Sequence, residues 1–407
     1  MIELPATSTK IIISHFCHKQ HFYDKILERI YKGVLRLKSF LSCKNLSRSL
    51  GVLALSLLVN ATSVELPAAE AISLGKLGKV GKVVDTVKEQ EQIKKSLDYY
   101  ENEGRHELFE ELKKSDGVNT DPGYNQLLTN IMTKLSAGIA KSDPSITGKP
   151  YNYFVNPEEV FNAYCTLGHN ISVNTGVFYF FENHEDRVAV VVAHEMAHGQ
   201  KKHPIEGAKK KMTVELVSQL ASVGMNDKGL LAADVVANQV KTVGVTKKNE
   251  VEADAVAFTY IADSGYNVGA PAAVWQRVIE NSSGASKNIF DDILNPSTHP
   301  ENKSRRDAYA KQLTEYSKKK VTVDANTGEV KINGKSFMKP VTAGSMSGAE
   351  RSYFVAGNLA RIYHDNSTVG TARNDNGTVR VGTQAVVTPA AGDATADELV
   401  ALFNQIK

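Results

Sequence analysis

The 407-residue sequence predicts an α+β fold: a mainly helical domain with a small edge β-sheet, followed by a small C-terminal α+β module. Three patterns predict it. Apolar residues recur at the helical period through several segments between 72 and 316. Short extended segments at 151–155 and 161–174 stand just ahead of an apolar helical run at 188–203, the second alternating through Ile171, Ser172, Val173 and Asn174. Beyond Lys320 the chain changes to short β-rich runs joined by turns that contain Asn and Gly.

Taken in order, residues 1–71 read as a leader. The apolar run 50–59 follows Lys44 and Arg48 and precedes a small-residue stretch ending in Ala69-Glu70-Ala71, the pattern of a secretory signal peptide. Cleaved near Ala61 or Ala71, it yields an exported protein; left uncleaved, it is an anchor. Either way the remainder is expected outside the cytoplasm, periplasmic or associated with the envelope. No later segment is apolar enough to span a bilayer.

Residues 72–117 form a helical lead-in, rich in Lys and Glu, with Ile93, Leu97, Leu108 and Leu112 spaced as on one or two surface helices. Thr120-Asp121-Pro122 starts the next helix with a capping side chain and a proline in its first turn, and Leu127, Ile131 and Leu135 form its stripe. After the strands, Asn183 is placed to cap the helix through 188–203, with Glu185 and Asp186 in a first turn that favours acids. Few charges over 188–193 predict that this helix is buried. Residues 205–245 read as helical, broken at 226–229, and 270–280 form a further helix around the single tryptophan, Trp275. In the module at 320–407, segments 321–323 and 330–332 make one hairpin and 378–381 belongs to another. Ser347 with Glu350 and Thr395 with Glu398 read as capping boxes. The helix after Thr395 puts Leu399, Leu402, Phe403 and Ile406 on one face.

Composition narrows the function classes. Forty-eight Lys and Arg against 45 Asp and Glu give a net charge of +3, which carries no footprint of a nucleic-acid partner. Lys209 to Lys211 read as a solvated helix face. The cysteines Cys17, Cys43 and Cys165 form neither a CxxC pair nor an even disulfide framework, and Cys165 reads as a buried, inert thiol.

The chemistry sits in His194-Glu195-Met196-Ala197-His198. Two histidines one helical turn apart point at one metal ion, and Glu195, about 100° round the helix, is placed to take a proton from water that the metal acidifies. A catalytic zinc site needs a third protein ligand. Metzincin spacing requires Gly at position 201 and His at position 204, where this chain has Lys201 and Pro204. His203 falls one residue off that register and reads as a partly exposed helix-end histidine. The better candidate is Glu250, which with Asp254 forms ExxxD on one face of a mostly apolar helix. There Glu250 would ligate and Asp254 would brace a ligand histidine. Glu252 points the other way.

HExxH followed about fifty residues later by Glu250-Val251-Glu252-Ala253-Asp254 resembles the zinc metallopeptidase family of the CAAX prenyl proteases and HtpX-type proteases, within the gluzincins. Asn162-Ala163-Tyr164 through Gly168, with Val173-Asn174-Thr175-Gly176, is similar to the strand-and-turn block before HExxH in that family. Ser297-Thr298-His299-Pro300, with Arg305 six residues after the histidine, resembles its late THP motif. The likeness covers about 118–316, and one departure is Gly168-His169 where the family often has Gly-Gly. It implies a gluzincin fold at 118–316, one Zn2+ per chain held by His194, His198 and Glu250, and Glu195 as general base. It further implies His299 as a catalytic donor, or alternatively as a latch on the zinc, with Arg305 holding that loop by pairing with a carboxylate such as Asp254 or Glu252, and polypeptide substrates docking at Asn162, Ala163 and Tyr164. Without transmembrane segments the chain resembles the soluble periplasmic members, which the likeness associates with degrading misfolded envelope proteins, in peripheral contact with a membrane or an envelope complex. The competing reading is a chaperone-like or scaffold protein with a structural metal, against which an intact Glu195 argues.

Overall fold

The computed structural model describes residues 76–407 apart from 212–224, 226–227, 241–245, 283–300 and 367. The leader with its apolar run at 50–59, and His299 with its THP motif, lie outside the described residues. From Lys76 to Lys407 the chain forms one compact unit. No described helix is long and apolar enough to cross a membrane.

The lead-in is a pair of helices, α1 (Lys76–Glu101) and α2 (Arg105–Asp116). Ile93, Leu97, Tyr100, Leu108 and Leu112 bury their apolar stripe against Phe154, Leu167, Ile205 and Val236. Helix α3 (Pro122–Ser142) starts as expected, with the Asp121 carboxylate accepting from the Gly123 and Tyr124 amides. Its buried stripe is Leu128, Ile131, Met132, Leu135 and Ile139, rotated slightly from the predicted one, so Leu127 is only half-buried.

Three strands follow, β1 (Asn152–Asn156), β2 (Ala163–Thr166) and β3 (Asn170–Asn174), in the order β1-β3-β2. β3 is central, parallel to β1 and antiparallel to β2, so among the described residues β1 and β2 are the two edges and β2 has no strand beyond it. The reversal between β2 and β3 uses left-handed backbone at Gly168 (φ 73°) and His169 (φ 57°). Gly168 has no substitute there, because a Cβ would stand 2.6 Å from the Cβ of Arg105.

After α4 (Thr175–Phe180), Glu182 and Asn183 both adopt left-handed backbone and turn the chain into α5 (Glu185–Gln200), the helix of the HExxH motif. The expected cap is therefore corrected. Asn183, at φ 58°, is taken up by the turn, and the cap position falls to His184, which makes no side-chain capping bond. Val188, Ala189, Val192, Ala193 and Met196 are buried, as the scarcity of charges required. Helices α6 (His203–Lys210), α8 (Lys247–Asp263) and α9 (Ala270–Asn281) pack against α5, while α7 (Ala233–Val240) packs against α2 and α10 (Asn302–Tyr316) against α8 and α9. At the start of α8 the Thr246 hydroxyl accepts from the Asn249 amide, which fixes the first turn of the helix that carries Glu250.

The C-terminal stretch forms two antiparallel meanders, β4 (Val321–Val323), β5 (Val330–Ile332) and β6 (Lys335–Met338), then β7 (Ala372–Asp375), β8 (Thr378–Val381) and β9 (Gln384–Val387). Between them runs α11 (Gly348–Asp365), and α12 (Ala396–Ile406) closes the chain. Val330, Leu359, Val379 and Phe403 share one core with Trp275, Tyr309 and Leu313 of α9 and α10. Thr395 and Glu398 form the full reciprocal capping box. At Ser347 only half of the expected box forms: the Glu350 amide donates to the Ser347 hydroxyl, but the Glu350 carboxylate turns inward. It pairs with Arg187 of α5 at 2.7 Å, with both side chains 1% exposed, and lies 3.4 Å from Arg277.

That pair ties the HExxH helix to α11. Removing one partner of a buried pair strands the other charge, so Glu350→Ala is expected to cost about 3–5 kcal/mol. Denaturant unfolding measures it, and a loss under about 1 kcal/mol would make the pair incidental to stability.

Candidate metal centre

Helices α5 and α8 pack side by side and bring together His194, His198 and Glu250. One ligand atom from each lies within 4.8 Å of the others. The two Nε2 atoms are 3.0 Å apart, and the Glu250 oxygens stand 3.5 Å from His194 Nε2 and 3.4 Å from His198 Nε2. Ligands of a tetrahedral zinc ion, each about 2.0–2.1 Å from the metal, stand about 3.3–3.4 Å from one another. The donor set therefore has the chemistry and close to the spacing of a zinc site.

The far side of each imidazole is held as well. His194 Nδ1 is 2.9 Å from Asp254 Oδ1, which directs its Nε2 lone pair at the common point. Asp254 in turn accepts from Arg305 through Nε at 2.7 Å and through Nη2, and from the Tyr309 hydroxyl at 2.9 Å. The Arg305 guanidinium lies over the Trp275 ring, 3.7 Å from its centroid. Burial alone would raise the Asp254 carboxyl, but the Arg305 charge beside it overrides this and holds the group well below the usual carboxylate range. Burial likewise opposes a charge on His194, yet hydrogen bonds to Asp254 and Glu250 outweigh it and push its pKa up to about 10. This point of the site favours positive charge.

Glu195 follows His194 on α5 and is half-buried. Its Oε2 accepts from the Cys165 amide at 2.8 Å, so the open strand β2 runs beside the HExxH helix. Because that amide points away from β3, Cys165 pairs with Ile171 without ladder hydrogen bonds, and two residues earlier Ala163 does the same opposite Val173. The Asn174 amide donating to the Asn162 carbonyl at 3.0 Å fits this alternation. Burial raises the Cys165 thiol well above its ordinary value, so it stays a thiol.

His203 differs from its expected exposure. It is 5% exposed at the start of α6, with Nδ1 3.0 Å from His198 Nδ1 and Nε2 3.6 Å from Glu252. It therefore sits on the side of His198 opposite the ligand cluster. Tyr309 and the Cys165 amide also escaped the sequence reading, since neither belongs to a motif. His203 carried one usable signal, its position five residues after His198.

Comparisons with known proteins agree with this geometry. Residues 125–312 match the model of Peptidase family M48. The beta-barrel assembly-enhancing protease of Yersinia pestis is 24% identical over 173 residues, 40% of this chain and 35% of the relative. The Escherichia coli protein of the same name is 24% identical over 191 residues, 44% of this chain and 37% of the relative. The mitochondrial metalloendopeptidase OMA1 of Schizosaccharomyces pombe is 24% identical over 229 residues, 56% of this chain and 65% of the relative. The chain thus spans little more than a third of the length of the bacterial relatives.

Proposed function

From a chain that carries a Peptidase family M48 domain over residues 125–312, we propose a zinc-dependent endopeptidase that cleaves extended or misfolded polypeptides outside the cytoplasm, in envelope protein quality control. The convergence of His194, His198 and Glu250 beside Glu195 carries the reading. The leader pattern supports its location, and the name of the bacterial relatives, beta-barrel assembly-enhancing protease, supports a polypeptide substrate.

His194, His198 and Glu250 would hold one zinc ion. When bound, it supplies a Lewis acid for the peptide carbonyl and lowers the pKa of water from 15.7 to about 7. Glu195 takes the proton of the attacking water and passes it to the leaving amine as the C–N bond breaks. The Cys165 amide orients this carboxylate through Oε2. Asp254 holds His194 in its tautomer, and Arg305 holds Asp254. His299 is assigned the donor to the carbonyl oxygen on the resemblance alone.

Purified protein is expected to cleave casein and to stop when a chelator is added. Zinc-loaded protein that leaves casein intact would favour the scaffold reading instead. Comparing envelope and secreted proteomes of wild type and Glu195→Gln would identify substrates.

The open edge of β2 is the proposed docking strand, at Asn162, Ala163 and Tyr164. An extended substrate adds there through backbone hydrogen bonds, which gives broad specificity. The test belongs on β2, since β3 is central and a proline in it would break the ladder. Ala163→Pro removes one outward amide, so zinc content should hold while KM rises by up to about tenfold, the upper worth of one hydrogen bond. An unchanged KM would move the docking site elsewhere.

A further inference from the structure

We propose that His203 is a positioning residue for the metal ligand His198. The inference rests on the proposed zinc site and adds a residue to it. A ligating imidazole almost always donates its second ring N–H to a carboxylate, carbonyl or water. For His194 that acceptor is Asp254. For His198 the atom at 3.0 Å from Nδ1 is Nδ1 of His203, another imidazole.

The proton positions follow. With the His198 Nε2 lone pair turned toward His194 and Glu250, its Nδ1 carries the hydrogen and donates it. His203 Nδ1 must then be the acceptor, which leaves the His203 proton on Nε2, facing Glu252 at 3.6 Å. Two supports of opposite design thus hold the ligand histidines: a buried carboxylate braced by Arg305 behind His194, and a buried neutral imidazole behind His198.

The test is zinc affinity, measured by competition with a chromogenic chelator on the full chain. His203→Leu fills the buried space without an acceptor and is expected to weaken zinc binding 10–100-fold, the usual effect of losing such a partner. His203→Asn restores an acceptor near the position of Nδ1 and should bind within about threefold of wild type. Far-UV circular dichroism and a cooperative melt check that each variant folds. If His203→Leu does not fold, His203→Ala takes its place. Wild-type affinity in the acceptor-free variant, or equal weakening in His203→Asn, overturns the role of His203. A wild-type chain that binds no zinc overturns the site itself, and a His198→Ala control separates the two.

Discussion

Glu195→Gln is expected to fold, bind zinc and lose hydrolysis by about 10²–10⁴-fold, the range of general acid–base catalysis. The substitution is isosteric. Its amide oxygen can still accept from the Cys165 amide, which holds Glu195 Oε2 at 2.8 Å, so the side chain should keep its place. What it loses is the ability to accept a proton at the other atom. None of the three proposed ligands changes, so zinc per chain should stay at the wild-type value. Peptide turnover and metal analysis on the same preparation decide the matter. Turnover within about tenfold of wild type, with contaminating protease removed, would remove Glu195 from the chemistry.

The parts of this site that rest on helical period were legible in the sequence. HExxH and ExxxD each set two side chains one turn apart, and that spacing survives whatever the rest of the chain does. The start of α3 was legible because Asp121 and Pro122 act within one turn. Where a contact between distant segments decides, the sequence misleads. The Glu350 carboxylate abandons its local cap because a buried Arg187, far away in sequence, competes for it. Asn183 fails as a cap because the chain must reverse between α4 and α5. His203 is buried because α6 folds back beside α5 and Glu252 arrives from α8, an arrangement that no local pattern encodes.

Glu250→Ala is expected to lose tight zinc binding and, with it, the stability that zinc confers. Metal that binds only the folded chain stabilises it by mass action, about 2.7 kcal/mol at one hundred times the dissociation constant. The wild-type melting temperature should therefore rise with zinc and fall with chelator, while the melt of Glu250→Ala should respond to neither. A second consequence separates a ligand from a structural carboxylate. Glu250 is 1% exposed, and the Arg305 guanidinium 3.9 Å away is already paired with Asp254. Removing Glu250 does not strand that cation, but it takes away the partner of His194 Nε2 at 3.5 Å, so the chelated variant should melt below chelated wild type by the modest worth of that contact. A structural carboxylate would cost the same stability with zinc as with chelator, whereas the loss of a ligand costs more in zinc. Calorimetric melts of both proteins, each with zinc and with chelator, give the four temperatures needed. Full zinc affinity in Glu250→Ala would move the third ligand to His299, since His203 faces the opposite side of His198.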